Sequence, residues 1–348
     1  MGADLSRLAS VVRADVLDAW FPPCPAVLEL FRTASADLIA TSPPEAATPL
    51  VKALSTSRGI PGEAILTAGG SSALIYGALP RFALDARRMV VLNPTYGEYA
   101  HVARNLLGIP VAEVPIPHPF CGEELVTALL TELRPGDVLV LVNPNSPTGT
   151  HLTLEEARNL LDGLPLGVRV WLDETYIEYV GANHSLERLA ATSPSMVVCK
   201  SMSKVFALSG LRVAYLVGSP ARIGDLRRGI PPWSVSLPAM LAGIAALDAP
   251  DYYARRLGET HSHRRSLSTE IGLKLGWEVQ EGSINCVLTR PAGGIDPEKI
   301  IAGCAEQGVY LRGGAAMGGA AREWIRISVR SPGENIRIAI AMLGAVHP

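Results

Sequence analysis

With 348 residues, 48% hydrophobic and 18% charged, the chain has the composition of a folded globular body rather than a disordered one, long enough for one large domain or two modest ones. A net charge of −2 and the lack of any basic run remove the electrostatic case for binding nucleic acid. No stretch approaches the ~20 continuous apolar residues of a membrane span.

The opening, MGADLSRLASVVRADVLDAW, carries Asp4, Arg7, Arg13 and Asp15 and so does not read as a secretory signal. Gly2 with Ser6 satisfies the short N-myristoylation pattern, which often occurs by accident. The five cysteines (Cys24, Cys121, Cys199, Cys286, Cys304) are scattered, with no C-x-x-C pair. They read as small buried residues of a reducing compartment, and a cytoplasmic protein is expected.

Proline-rich FPPCPAV (21–27) and TSPPEAATP (41–49) bracket a short helical stretch, which suggests an extended N-terminal arm. From about residue 50 the pattern alternates. TPLVKALSTSRG reads as a helix ended by glycine, and GSSALIYGALPRF as a helix opened by glycine and serine. RMVVLN and DVLVLVN are short apolar runs between turn formers, the pattern of strands buried on both faces. LTLEEARNLLDGL is an amphipathic helix with a capped start, and GVRVWLDE and SMVVCKS are again buried strands. Strands alternating with helices predict a mostly parallel sheet with crossover helices. After WSVSLPAMLAGIAAL (233–247) a long polar helix leads to two strands, SINCVLTRP and EWIRISV, with a helix around 297–307 between them. That is a smaller α+β unit. The expected division is an arm over 1–48 packed on the small domain, a large α/β domain over 49–250, and the small domain over 251–348.

Ligands of open α/β sheets bind beyond the carboxyl ends of the strands, so the residues just after each strand carry the chemistry. One strand leads into GGSS, whose Ser71 and Ser72 open a helix suited to a phosphate. The others lead to PTYGEY with Tyr96, to PNSPTG with Asn145 and Ser146, to DETY with Asp173 and Tyr176, and to SMSKVFALSGLR with Ser201, Ser203, Lys204 and Arg212. Taken singly, Lys204 reads as a surface lysine, Asp173 as a helix-cap carboxylate, and the tyrosines as half-buried aromatics. Together they form a phosphate cradle, an aromatic face, a carboxylate, an amine and a guanidinium for one ligand. Ser201 to Lys204 also satisfies the S-x-x-K pattern of serine acyl-transfer enzymes, but the S-D-N and K-T-G companions are missing. Nucleotide loops are missing as well. His261 and His263 in HSHRR stand two apart and do not share a helix face, so no metal site is expected there.

The set GGSS, NPTYGEY, NPNSPTG, DETYIEY and SMSKVFALSGLR, in this order, resembles the fold-type-I pyridoxal-phosphate (PLP) aminotransferases of class I/II. Within them it is most similar to the histidinol-phosphate aminotransferase branch, from about residue 15 to the C-terminus. The resemblance implies a PLP-dependent transferase in which Lys204 holds the cofactor as a Schiff base and moves the proton. Asp173 would pair with the pyridine nitrogen, Tyr176 would bond the ring hydroxyl and Tyr96 would stack on the ring. Ser71, Ser72, Ser201, Ser203 and Arg212 would hold the phosphate. Arg326 in WIRISV and Arg312 in VYLRGG match substrate-side arginines.

The expected reaction moves an amino group from a small-molecule donor, histidinol phosphate being the best single guess, to a 2-oxo acid such as 2-oxoglutarate. A homodimer is expected. The alternative is decarboxylation, cyclisation or oxidation of an amino acid on the same scaffold, and a partner-binding protein without turnover is a third reading.

Three departures stand out. Ser146 occupies the place of the family's asparagine before PTG, with Asn145 one residue earlier. LDAWFPPCP replaces the NENP stretch and its nearby tyrosine. Ser42 stands near the place of the tyrosine that reaches the neighbouring subunit.

Overall fold

The computed structural model describes residues 10–317 and 321–346; the Gly2–Ser6 pattern lies outside them. Arm strand β1 (Val12–Arg13) comes first, followed by the strands of the large sheet: β2 (Ile65–Ala68), β3 (Met89–Asn93), β4 (Val111–Pro115), β5 (Val138–Val142), β6 (Arg169–Asp173), β7 (Met196–Ser201) and β8 (Ala214–Gly218). Their spatial order is β2-β8-β7-β6-β5-β3-β4. Every neighbouring pair is parallel except those made by β8, which runs antiparallel to β2 and β7. This is the expected α/β architecture.

Alternation within the buried strands divides the core. Leu139, Leu141, Val170, Leu172 and Val198 face one layer of helices, whereas Val138, Val140, Val142, Trp171, Val197 and Cys199 face the other. The register sets Val142 opposite Asp173 and Asp173 opposite Cys199. The ends of β5, β6 and β7 therefore open at one edge, where their following loops meet. Helix Leu154–Asp162 starts with a capping box between Thr153 and Glu156, and helix Thr48–Arg58 stops at left-handed Gly59, as their sequences predict.

The remaining strands are β9 (Glu278–Glu281), β10 (Cys286–Arg290), β11 (Val309–Tyr310), β12 (Arg312–Gly313) and β13 (Ile325–Ser328). Four of them form a second sheet, ordered β12-β13-β10-β9. The sequence pattern shows only β10 and β13, because β9 is polar and β12 is two residues long. β1 pairs in parallel with β11. Beyond it, Ser328 N donates to Ala14 O at 3.0 Å, Ser328 Oγ to Val16 O at 2.6 Å and Asn285 Nδ2 to Leu17 O at 3.0 Å. The first arm residues are thus laced onto this sheet. Helix Pro25–Ala40 instead packs on helix Leu237–Leu247. No helix among the described residues is long and apolar enough to cross a membrane.

A buried ionic cluster sits behind the β6 and β7 ends. Lys200 Nζ lies 2.6 Å from Glu178, 3.5 Å from Glu187 and 3.9 Å from Glu174, and Arg58 pairs with Glu178 at 3.0 Å. Two cations face three carboxylates, so one carboxylate is in excess. Glu174 is the one farthest from Lys200, and burial pushes its carboxyl up to about 7 against the pull of Lys200. The folded-state value lies above the ordinary 4.5, so the stabilisation tied to its proton is full below pH 4.5 and fades as pH rises through about 7. Glu174→Gln keeps an acceptor for the Leu186 N–H without needing that proton. The variant is expected to gain up to about 3 kcal/mol on wild type between pH 5 and pH 8. Denaturant unfolding at the two pH values measures this, and parallel losses in both proteins would refute it.

Candidate active site

A cavity of about 440 Å³ opens at the edge where β5, β6 and β7 end. Its wall contains Ser71, Ser72, Tyr96, Ser146, Asp173, Tyr176, Ser201, Ser203, Lys204, Arg212, Arg312 and Arg326. Of the residues the sequence singles out, only Asn145 is off the wall. Its amide is occupied: Oδ1 accepts from Thr95 Oγ1 at 2.7 Å, and Nδ2 donates to Pro94 O at 3.0 Å and Thr148 Oγ1 at 2.8 Å. Ser146 is the member of the pair that faces the cavity. His261 and His263, two apart on their helix, diverge: the first reaches Tyr179 O at 2.7 Å and the second packs against Trp20, ring centroids 4.4 Å apart and tilted by 57°.

Arg212 and its neighbours on the cavity wall suit a phosphate. Arg212 Nη1 donates to Ser203 Oγ at 3.2 Å and to Ser209 O at 3.1 Å. The arginine has a left-handed backbone, φ 56°, a costly state for a residue with a side chain and one that collects at ligand sites. Its guanidinium packs so closely on the loop after β2 that a Cβ on Gly70 would meet Nη2 at 2.5 Å. Glycine at 70 is therefore needed both for that approach and for its φ of +91°.

Asp173 Oδ2 accepts from Tyr99 Oη at 2.6 Å, and Oδ1 accepts from Thr175 N at 2.9 Å. Tyr99 Oη in turn accepts from Trp171 Nε1 at 3.2 Å. Burial raises the Asp173 carboxyl, and the Thr175 and Tyr99 bonds pull it back. All of these partners are neutral, so a cationic N–H on a ligand would complete the carboxylate. Burial also pushes the Tyr176 phenol well above its ordinary value, leaving it a proton donor at neutral pH.

From the second sheet, Arg312 and Arg326 stand directly opposite each other across the β12–β13 pair and line the same cavity. Like charges in that position repel. Arg326 Nη2 donates to Asp15 O at 2.6 Å, while its Nε is buried without a partner among the described residues. An anion between the two guanidiniums would relieve both defects.

Residues 20–343 match the family described as aminotransferase class I and II. The chain belongs to that family. It is 29% identical over 317 residues to an aromatic amino acid aminotransferase of Thermobifida fusca, covering 90% of this chain and 85% of the relative. It is 30% identical over 338 residues to a histidinol-phosphate aminotransferase of Desulfitobacterium hafniense, covering 95% and 91%. Among solved structures, the histidinol-phosphate aminotransferase of Sinorhizobium meliloti in complex with pyridoxal-5′-phosphate superposes with a TM-score of 0.85 at 23% identity, covering 99% of this chain and 94% of that one.

The aminotransferase is thus a PLP-dependent transferase, and its cavity fits the cofactor. A guanidinium with serine hydroxyls suits a phosphate, and a buried carboxylate lacking a cation suits a pyridine N–H. Two participants escape the sequence reading. Tyr99 lies inside the motif PTYGEY, but without the fold nothing separates it from Tyr96. Asp18 lies in the divergent LDAW stretch and pairs with Lys204 Nζ at 2.9 Å.

Proposed function

We propose that the chain is an aminotransferase of histidinol-phosphate type, taking the amino group from an amino-phosphate donor, histidinol phosphate first, and giving it to a 2-oxo acid such as 2-oxoglutarate. One observation carries this reading: two separate guanidinium sites line one cavity with the lysine, Arg212 tied to Ser203 beside the large sheet and the Arg312–Arg326 pair on the second sheet. A cofactor phosphate and a substrate anion need such a division.

Bound PLP supplies an electron sink for the carbanion left when the donor's carbon gives up its proton. Arg212, Ser201 and Ser203, with the backbone at Ser71 and Ser72, hold the cofactor phosphate. Asp173 accepts from the pyridine N–H and keeps it protonated. Tyr176 would donate to the cofactor's ring hydroxyl and Tyr96 would stack on its ring, with Ser146 on the same wall. Lys204, which would carry the cofactor between turnovers, would take the proton from the donor carbon at Nζ and hand it back later in the same half-reaction. Arg326 and Arg312 grip the donor's phosphate, then the acceptor's carboxylate, and so fix which hydrogen points at Lys204.

We also propose that residues 49–250 and 251–348 act as cofactor domain and small domain, with the 1–48 arm across them, in a cytoplasmic homodimer.

A half-reaction tests the proposal. PLP-loaded protein is mixed with single donors, without any oxo acid, while absorbance and products are followed. Histidinol phosphate is expected to discharge the visible band of the lysine-linked cofactor and yield its own carbonyl product. Carbon dioxide or a cyclised product would instead assign the scaffold to another reaction. A band that an amino acid discharges and histidinol phosphate leaves intact would overturn the donor.

A further inference from the structure

Beside the cavity, the arm sets against Lys204 a carboxylate that the proposed reaction does not use. Asp18 Oδ1 lies 2.9 Å from Lys204 Nζ and accepts from Ser209 Oγ at 2.7 Å. Ser209 Oγ also lies 3.1 Å from Ser203 O, in the segment that carries Lys204. The backbone beneath the carboxylate is pinned as well: Val16 O, Leu17 O and Asp18 O accept from Ser328 Oγ, Asn285 Nδ2 and Arg330 Nη1 at 2.6, 3.0 and 3.4 Å. Its location is thus fixed from both sides, by the second sheet and by the lysine loop.

We propose that Asp18 is the electrostatic partner of Lys204: its carboxylate faces the nitrogen through which the lysine carries the cofactor and keeps that nitrogen protonated at neutral pH. The inference rests on the role of Lys204 as the cofactor's carrier. A free lysine amine needs no help to stay charged at pH 7. A nitrogen joined to the cofactor's carbonyl carbon is far less basic, so the carboxylate that lies 2.9 Å from the free Nζ would decide its state. Protonation makes the adjoining carbon the better target for an incoming donor amine.

The charged groups facing Asp18 agree with this role. Burial works against its ionised form, and Lys204, Ser209 and Arg330 outweigh burial and hold the carboxyl below its ordinary value. Arg13 adds a further positive field. Asp15, the nearest other acid on the arm, is turned to Arg13 at 2.8 Å. Asp18 therefore stays negative across the working pH range and imposes one sign of charge on the lysine nitrogen.

A merely structural ion pair, tying the arm to the large sheet, would share this geometry but not its consequence. The test is a pH titration of the visible absorbance of PLP-loaded protein. The midpoint between protonated and neutral forms is expected to fall by roughly one to three pH units in Asp18→Asn, the range for loss of an opposite charge in contact. Asp18→Glu should restore most of it, and Asp18→Ser gives the same reading as asparagine should that variant not fold. An unmoved midpoint in a neutral variant that binds the cofactor overturns the proposal and leaves the lysine assignment standing. A wild-type protein that acquires no lysine-linked band overturns both.

Discussion

Lys204→Ala is expected to lower kcat by about 10⁴-fold or more, the upper end of what one positioned proton-transfer group contributes. The residue is asked to do two things, carry the cofactor and move the proton, and alanine does neither. Arg212, Ser201, Ser203 and Asp173 are untouched by the change, so the variant should still take up PLP, now without the lysine-linked visible band. That separates a catalytic loss from a collapsed site. The side chain lies half-buried against Asp18, and removing it leaves the Ser209 bond to that carboxylate in place, so a large loss of stability is not expected. Single-turnover assays with histidinol phosphate measure the effect. Retention of even a hundredth of wild-type turnover would refute the role given to Lys204.

Legibility in the sequence depends on which interactions are local. The runs that form β3, β5, β6 and β7 are buried on both faces and stand out as unbroken apolar stretches. The strand ends of the large sheet bring ten of the thirteen residues singled out to one wall by topology, and Arg312 and Arg326 join them from the second sheet. The features that stayed hidden depend on contacts distant in sequence. Antiparallel β8 is a strand by virtue of its neighbours, and polar β9 by its pairing with β10. Asn145 and Ser146 are one residue apart, and only the turn decides which faces inward. Tyr99 reaches Asp173 across 74 positions, and Asp18 reaches Lys204 across 186. No periodicity reports such pairings. Asp18 was further masked because it lies where the resemblance to the family fails.

Asp173→Asn should cost about 10²–10³-fold in kcat/KM, the effect of deleting one preorganised electrostatic partner from a dry site. An amide cannot hold a pyridine nitrogen protonated, and its own N–H₂ would confront the Tyr99 hydroxyl, which has been donating to a carboxylate. The site therefore loses a charge and gains a mismatched donor. Tyr99→Phe tests the same carboxylate from behind. It removes one of the bonds that pull the Asp173 carboxyl down against burial, so the carboxyl rises further and the ionised form is lost at a higher pH. The acid limb of kcat/KM should move upward, with a loss of roughly 10–100-fold at neutral pH, the worth of a hydrogen bond to a charged group. Trp171 Nε1, which gives its proton to Tyr99 Oη, is left without an acceptor, so stability should fall somewhat too. The pH profile distinguishes the two effects, because a packing defect lowers the whole curve whereas a raised carboxyl moves its acid side. If Asp173→Asn keeps activity within tenfold of wild type, or the Tyr99→Phe profile drops without moving, Asp173 is not the group that holds the cofactor's nitrogen charged.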